Sequence, residues 1–209
     1  RTIEGEINMK DNIRNIIIQA TRISKPSSQE KKKLESLSNN ILEKVNRVIT
    51  EIDENPEVVL GGSYAKGTWL KQVGDIDIFV KFDSKLERDQ LENIGLKIGL
   101  SALKDHNPKL RYSEHPYVEA FIDEIRINIV ACYNVDKGKW KSAADRSPHH
   151  TDLIIKEFDE NMKRETILLK LFMKSLGIYG AEIKTRGFSG YVCEVLILKY
   201  GKLTEVLDA

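Results

Sequence analysis

The chain has 209 residues, enough for one large or two small domains with a real hydrophobic core. Its 33 basic and 32 acidic residues leave a formal net charge of +1, so a nucleic-acid partner would have to be held by local patches and not by a global field. No apolar run approaches the ~18 residues of a membrane-spanning helix, the N-terminus lacks the charged-then-apolar order of a signal peptide, and Cys132 and Cys193 stand alone in apolar surroundings, which reads as two reduced, buried thiols of a cytoplasmic protein.

Residues 1–8 precede Met9 and are set aside. Ile13, Ile16, Ile17 and Ile18 predict a short helix over about 10–23, which Pro26 interrupts. Ser27 with Glu30 is a capping-box pattern, and Leu34, Leu37, Ile41, Val45, Val48 and Ile52 recur at three- and four-residue spacing. They predict an amphipathic helix of about six turns. Glu57–Leu60 reads as a strand running into Gly61-Gly62-Ser63, a turn that opens a short helical segment. A second strand is expected over 75–82, and Ser84 with Glu87 resembles another capping box, predicting a helix from there to about Lys104. Asn107-Pro108 is a turn, residues 109–122 supply one or two strands around His115-Pro116, and Asp123-Glu124 is a hairpin turn. Along 125–133, Ile125, Ile127 and Ile129 alternate with Arg126, Asn128 and Val130. Residues 134–147 form a polar loop with a basic segment, Lys137 to Lys141. Helices are expected over 149–158, 160–176 and from about Phe188. The expected organisation is an N-terminal extension with a short helix (1–27), an α+β domain with a mixed sheet flanked by helices (28–147), and a helical segment (148–209).

The stretch 60–82 carries chemistry. Glycine lets backbone approach a phosphate closely, and Ser63 adds a hydroxyl. Alone, such a turn is as readily an ordinary loop. After eleven residues that follow Ser63, Asp75 and Asp77 flank Ile76 on a strand, so both carboxylates face one way while Ile76, Ile78 and Val80 face the other. Two residues of rise separate them by about 7 Å, a spacing from which carboxylate oxygens converge on divalent ions. Asp-x-Asp alone also fits a surface edge strand. A glycine turn followed by paired carboxylates on an apolar-alternating strand is the layout of a nucleotidyl-transfer site.

Several motifs in order make the reading more specific: Gly-Ser-Tyr-Ala-Lys-Gly-Thr-Trp-Leu-Lys with Asp75-Ile-Asp77, Arg-Tyr-Ser-Glu-His-Pro-Tyr-Val (111–118), Ala-Cys-Tyr (131–133), Lys-Ser-Ala-Ala-Asp-Arg-Ser-Pro (141–148), Gly-Ile-Tyr-Gly-Ala-Glu (177–182) and Arg-Gly-Phe-Ser-Gly-Tyr-Val-Cys-Glu (186–194). Over roughly residues 30–209 the chain resembles the N-terminal part of archaeal (class I) CCA-adding enzymes, tRNA nucleotidyltransferases of the polymerase-β-like superfamily. The resemblance implies a polymerase-β-like catalytic head followed by the start of a helical neck. It implies template-independent addition of C, C and A to the 3′ end of tRNA from CTP and ATP, with two Mg²⁺ ions. It places the triphosphate at Gly62, Ser63 and Lys66, the metals at Asp75 and Asp77, the sugar near Ser147, and further nucleotide contacts at His150, Lys170 and Tyr179. Members of that family are longer, with further domains that grip tRNA, so weak, salt-sensitive tRNA binding is expected of these residues alone. A poly(A) polymerase or oligonucleotide synthase of the superfamily is the nearest enzymatic alternative.

One position departs from the family pattern. The third carboxylate of the superfamily, four residues before the Cys-Tyr pair, is here Asn128. The resemblance makes it the third catalytic and metal position, and an amide there is neutral, binds Mg²⁺ more weakly and cannot take a proton. General-base assistance contributes about 10²–10⁴-fold. Glu124 shares the face but lies about 13 Å along the strand. An engineered Asp-to-Asn replacement that traps a substrate complex, a natural nucleotide-binding pseudoenzyme or regulatory module, and natural tolerance of asparagine all fit the sequence.

Overall fold

A computed structural model describes residues 3–24, 26–71, 74–112, 115–181 and 185–209. The chain divides into two compact units, one of Ser28–Trp69 with Val73–Glu157, the other of Arg1–Ser27, Leu70–Gln72 and Phe158–Ala209.

The larger unit is built on a five-stranded sheet. Its strands are β1 (Glu57–Gly61), β2 (Ile76–Asp83), β3 (Lys109–Arg111), β4 (Tyr117–Ile122) and β5 (Ile125–Asn134), in the order β1-β2-β5-β4-β3. β2 and β5 run parallel and the other neighbours antiparallel, which makes the sheet mixed, as expected. The β4–β5 hairpin turns at Asp123 and Glu124, whose φ values of 48° and 67° match the right-handed twist of the flanking strands.

The alternating isoleucines face one way. Ile76, Ile78, Val80 and Phe82 of β2, Ile127, Ile129 and Ala131 of β5, and Val118 and Ala120 of β4 are buried in one core. Helices α2 (Ser28–Ile49) and α4 (Arg88–Ala102) supply most of the rest of it. α2 presents Leu34, Ser38, Ile41, Val45 and Ile49. Leu37, Val48 and Ile52, also expected on that stripe, flank it only partly buried. α4 lies close to the sheet because residue 95 is glycine: a Cβ there would come within 2.3 Å of the Ala131 methyl. The short helix α3 (Gly62–Lys66) follows β1, and α5 (Arg146–Glu157) packs against α3 and β1.

α1 (Ile3–Ser24) starts about seven residues before the expected helix, and α2 ends at Ile49, short of Ile52; two further boundaries differ for a visible reason. α4 starts at Arg88, not near Ser84, because the Asp83 carboxylate accepts from the Lys85 amide at 2.8 Å and closes a turn first. α5 begins three residues early, and Asp145 accounts for it. That buried carboxylate accepts from the Tyr133 amide at 2.8 Å, the Lys141 amide at 2.8 Å and the Ser142 amide at 2.7 Å, pinning the loop to β5 immediately before the helix.

The second unit is helical among the described residues. It contains α1 (Ile3–Ser24), α6 (Glu160–Ser175), α7 (Gly190–Tyr200) and α8 (Leu203–Asp208). Asp159 caps α6 by accepting from Met162 N at 2.7 Å, and Ser189 caps α7 by accepting from Val192 N at 3.2 Å. Both cysteines are buried free thiols, Cys132 in the sheet and Cys193 in α7, with burial pushing their pKa values up to about 12 and about 11. No described helix is long and apolar enough to cross a membrane.

Candidate active site

The face of the sheet opposite the core carries the polar residues. Strand register puts Gly61, Asp77, Asn128, Glu119 and Lys109 in one row across β1, β2, β5, β4 and β3. Two residues toward the start of β2, Asp75 lies next to Arg126 of β5. The sheet thus brings Asp75 and Asp77 together with Asn128, 51 residues beyond Asp77. Parallel pairing of β2 with β5 does this, since it sets Asp77 directly beside Asn128.

Asp77 is held from two sides. Its Oδ1 accepts from Asn128 Nδ2 at 2.8 Å. Its Oδ2 lies under the glycine turn, where a Cβ on Gly62 would sit 1.8 Å away. Gly62 also has φ +66°, a conformation glycine adopts without strain. Burial raises the Asp77 pKa above its ordinary value; the Asn128 hydrogen bond opposes that, the Asp75 charge adds to it, and Arg126 and Lys66 draw it back. Asp75 is more open, and its Oδ2 accepts a hydrogen bond from Arg126 Nη2. That contact raises the Arg126 pKa.

Ser63 and Lys66 lie on α3, directly after Gly62, and Lys66 is buried close enough to act on Asp77. Ser147 and His150 lie on the first turns of α5. Thr151 donates to the Ser147 carbonyl at 3.0 Å and faces Gly61, where a Cβ would meet its Oγ1 at 3.5 Å, so this end of α5 rests on the glycine turn. Of the seven expected site residues beyond the carboxylates and Asn128, five lie in this unit: Gly62, Ser63, Lys66, Ser147 and His150.

Lys170 and Tyr179 belong to the helical unit. Lys170 is 1% exposed and its Nζ lies 3.1 Å from Oε1 of Glu194, itself fully buried. Tyr179 Oη and Lys170 Nζ border the same space beside Gly190, 3.1 Å and 3.4 Å from where a Cβ would stand.

Three contributors escaped the sequence reading. Arg126 was on the polar face by alternation, but its pairing with Asp75 depends on the β2–β5 register. Glu119, 5% exposed, accepts from Arg111 Nε at 2.8 Å and Nη2 at 2.6 Å beside Asn128. Asp145 orients the start of α5, and its position before Arg-Ser-Pro was the available signal.

The donor set suits a hard divalent cation in part. Asp75 and Asp77 offer carboxylate oxygens, and Asn128 Oδ1 is buried without a hydrogen-bond partner among the described residues. No group of three or more His, Cys, Asp and Glu side chains placed to hold a metal occurs among the described residues, so the set is two carboxylates and an amide oxygen.

The family described as "Nucleotidyltransferase domain" matches residues 42–168. The chain belongs to the nucleotidyltransferase domain family. A second family, "tRNA nucleotidyltransferase, second domain", matches residues 164–209 of this nucleotidyltransferase. Its sequence is 44% identical over 200 residues to the CCA-adding enzyme of Methanocaldococcus jannaschii, covering 93% of this chain and 44% of that protein. It is 44% identical over 184 residues to the CCA-adding enzyme of Thermoplasma volcanium, covering 88% and 41%. The nucleotidyltransferase thus spans less than half the length of the curated relatives it matches. In fold it is similar to the Cid1 poly(U) polymerase, with a TM-score of 0.68 at 18% identity over 90% of this chain and 55% of that one. It is likewise similar to a cytoplasmic RNA terminal U-transferase, with a TM-score of 0.63 at 18% identity over 89% and 52%.

Proposed function

We propose that this chain carries the nucleotide site of a cytoplasmic CCA-adding enzyme, which extends the 3′ end of tRNA from CTP and ATP. The observation that carries this reading is the convergence of Asp75, Asp77 and Asn128 on one sheet face, directly beneath the Gly62 turn. The names of the archaeal relatives support the choice of tRNA as the acceptor.

In this reading Ser63 and Lys66 hold the triphosphate, and the backbone at Gly62 gives it close approach. Ser147 and His150 meet the sugar and neighbouring oxygens. Tyr179 offers a hydroxyl on a rigid ring; Lys170, balanced by Glu194, contributes hydrogen-bond donors and little net charge. Asp75 and Asp77 would hold two Mg²⁺ ions, with Asn128 Oδ1 as a neutral third donor. Such ions would supply activation of the attacking hydroxyl and charge stabilisation for the leaving pyrophosphate. Asn128 cannot receive the proton of that hydroxyl, so transfer is slow while nucleotide binding persists.

The test is CMP incorporation from CTP into tRNA lacking its CCA end, by this chain and by Asn128→Asp. The aspartate variant is expected to be faster by about 10²-fold or more. Equal rates would remove Asn128 from the explanation. A second reading, a nucleotide-binding module that does not transfer, draws support from the Asn128–Asp77 hydrogen bond, which occupies the carboxylate without a cation. It predicts CTP binding with no incorporation by either protein.

A further inference from the structure

The polar face continues past Asn128 onto β4, where alternation presents Tyr117, Glu119 and Phe121 on the same side. Register pairs Phe121 with Arg126 of β5 and Tyr117 with Arg111 of β3. Two aromatic–arginine pairs therefore flank the Glu119–Asn128 pair. Phe121 is 57% exposed, so most of its ring surface is left in water although β4 is an interior strand of the sheet. The side chains of Arg126 and Arg111 are 43% and 47% exposed.

We infer that this half of the face is a stacking platform for the single-stranded 3′ end of RNA, with an unpaired base lying on Phe121. Phe121 is in line with Asp75, two strands away, which is about 10 Å across the sheet. A base there belongs to a nucleotide whose sugar and phosphate lie over Arg126, toward the carboxylates. Unpaired bases expose the π faces that aromatic rings and guanidinium planes receive, whereas a duplex has already stacked them on one another. Arg111 and Arg126 are ion-paired with Glu119 and Asp75, so the local charge is nearly balanced and stacking, more than phosphate attraction, holds the strand. Stacking accepts any base, as a surface under successive different nucleotides must.

This rests on the proposal that the site extends an RNA 3′ end, and the experiment separates the two. Anisotropy of a 5′-labelled RNA hairpin with a short single-stranded 3′ tail, and of the same hairpin cut blunt, is measured with the whole chain, Phe121→Ala and Phe121→Trp. CTP binding is measured calorimetrically in parallel. Since Phe121 is exposed, its removal leaves the core intact. The alanine variant should lose about five-fold or more in affinity for the tailed hairpin, the range of one lost base stack, with an unchanged salt slope. Phe121→Trp should restore binding, the blunt hairpin should bind weakly throughout, and CTP should bind alike to all three. Equal binding of tailed RNA by the chain and Phe121→Ala overturns the platform, as does equal binding of tailed and blunt hairpins. Self-association lost in Phe121→Ala without an effect on RNA also overturns it, by assigning the ring to a second copy. CTP binding with no RNA binding by any variant refutes the RNA acceptor itself, and the platform with it.

Discussion

Asn128 Nδ2 donates to Asp77 Oδ1 at 2.8 Å across the parallel β2–β5 pair. A neutral donor thus sits where a second carboxylate would have faced Asp77 at hydrogen-bond distance. Asn128→Asp should therefore destabilise the cation-free protein, by about 1–3 kcal/mol, as like charges forced together do. Added Mg²⁺ should restore more stability to the variant than to the parent. Thermal melts in EDTA and in Mg²⁺ check this, and a variant as stable as the parent in EDTA would contradict it.

Arg126 is the present counter-charge of Asp75. A cation at Asp75 Oδ2 competes with the guanidinium, so Arg126→Gln should tighten Mn²⁺ binding several-fold in the absence of nucleotide, given the modest strength of a half-exposed ion pair. Electron paramagnetic resonance of free Mn²⁺ reads this directly. Unchanged or weaker binding means that the arginine does not compete.

The raised pKa of Asp77 has a definite sign in stability. With a folded-state pKa above the unfolded value near 3.8, its contribution is fully favourable below 3.8 and is lost as pH rises through the folded pKa. Neutral pH therefore penalises the cation-free fold at this residue. Asp77→Asn should raise stability at pH 7 by about 1 kcal/mol, in the range of relieved functional-site strain, and should flatten the acidic limb of urea midpoint against pH. The stabilisation should vanish when the comparison is made with Mg²⁺ bound.

The Lys170–Glu194 pair makes the helical unit sensitive to half-removal. Glu194→Ala leaves a buried ammonium short of its counter-charge and should cost about 3–5 kcal/mol, whereas Lys170→Met with Glu194→Leu should cost much less. A double-mutant cycle in urea measures the coupling, and additive losses would argue against a shared pair.

Much of this was legible in the chain because strand alternation is a local rule. Ile76-Asp77-Ile78 and Ile127-Asn128-Ile129 each sort their own side chains, so both the core face and the polar face could be drawn before any pairing was known. Pairing itself is non-local. Arg126 was placed on the polar face by alternation, but only the parallel register sets it against Asp75. Lys170 reads as one more basic residue of α6 because Glu194, its partner, lies 24 positions on. Helix starts were missed where carboxylates ordered the preceding loop: Asp83 before α4, in place of the expected cap at Ser84, and Asp145 before α5.

Gly62 and Asp77 occupy one space, with no room for a methyl group between them. A ligand that moves the turn must also move the carboxylate, and a cation that draws the carboxylate outward must free the turn. For the proposed site, phosphate and cation would then not be independent guests. Each must change the other's affinity by the same factor, whichever arrives first, because linkage between two equilibria is reciprocal. On the proposed function, the glycine would be the joint through which the two halves of a nucleotide–metal complex recognise each other.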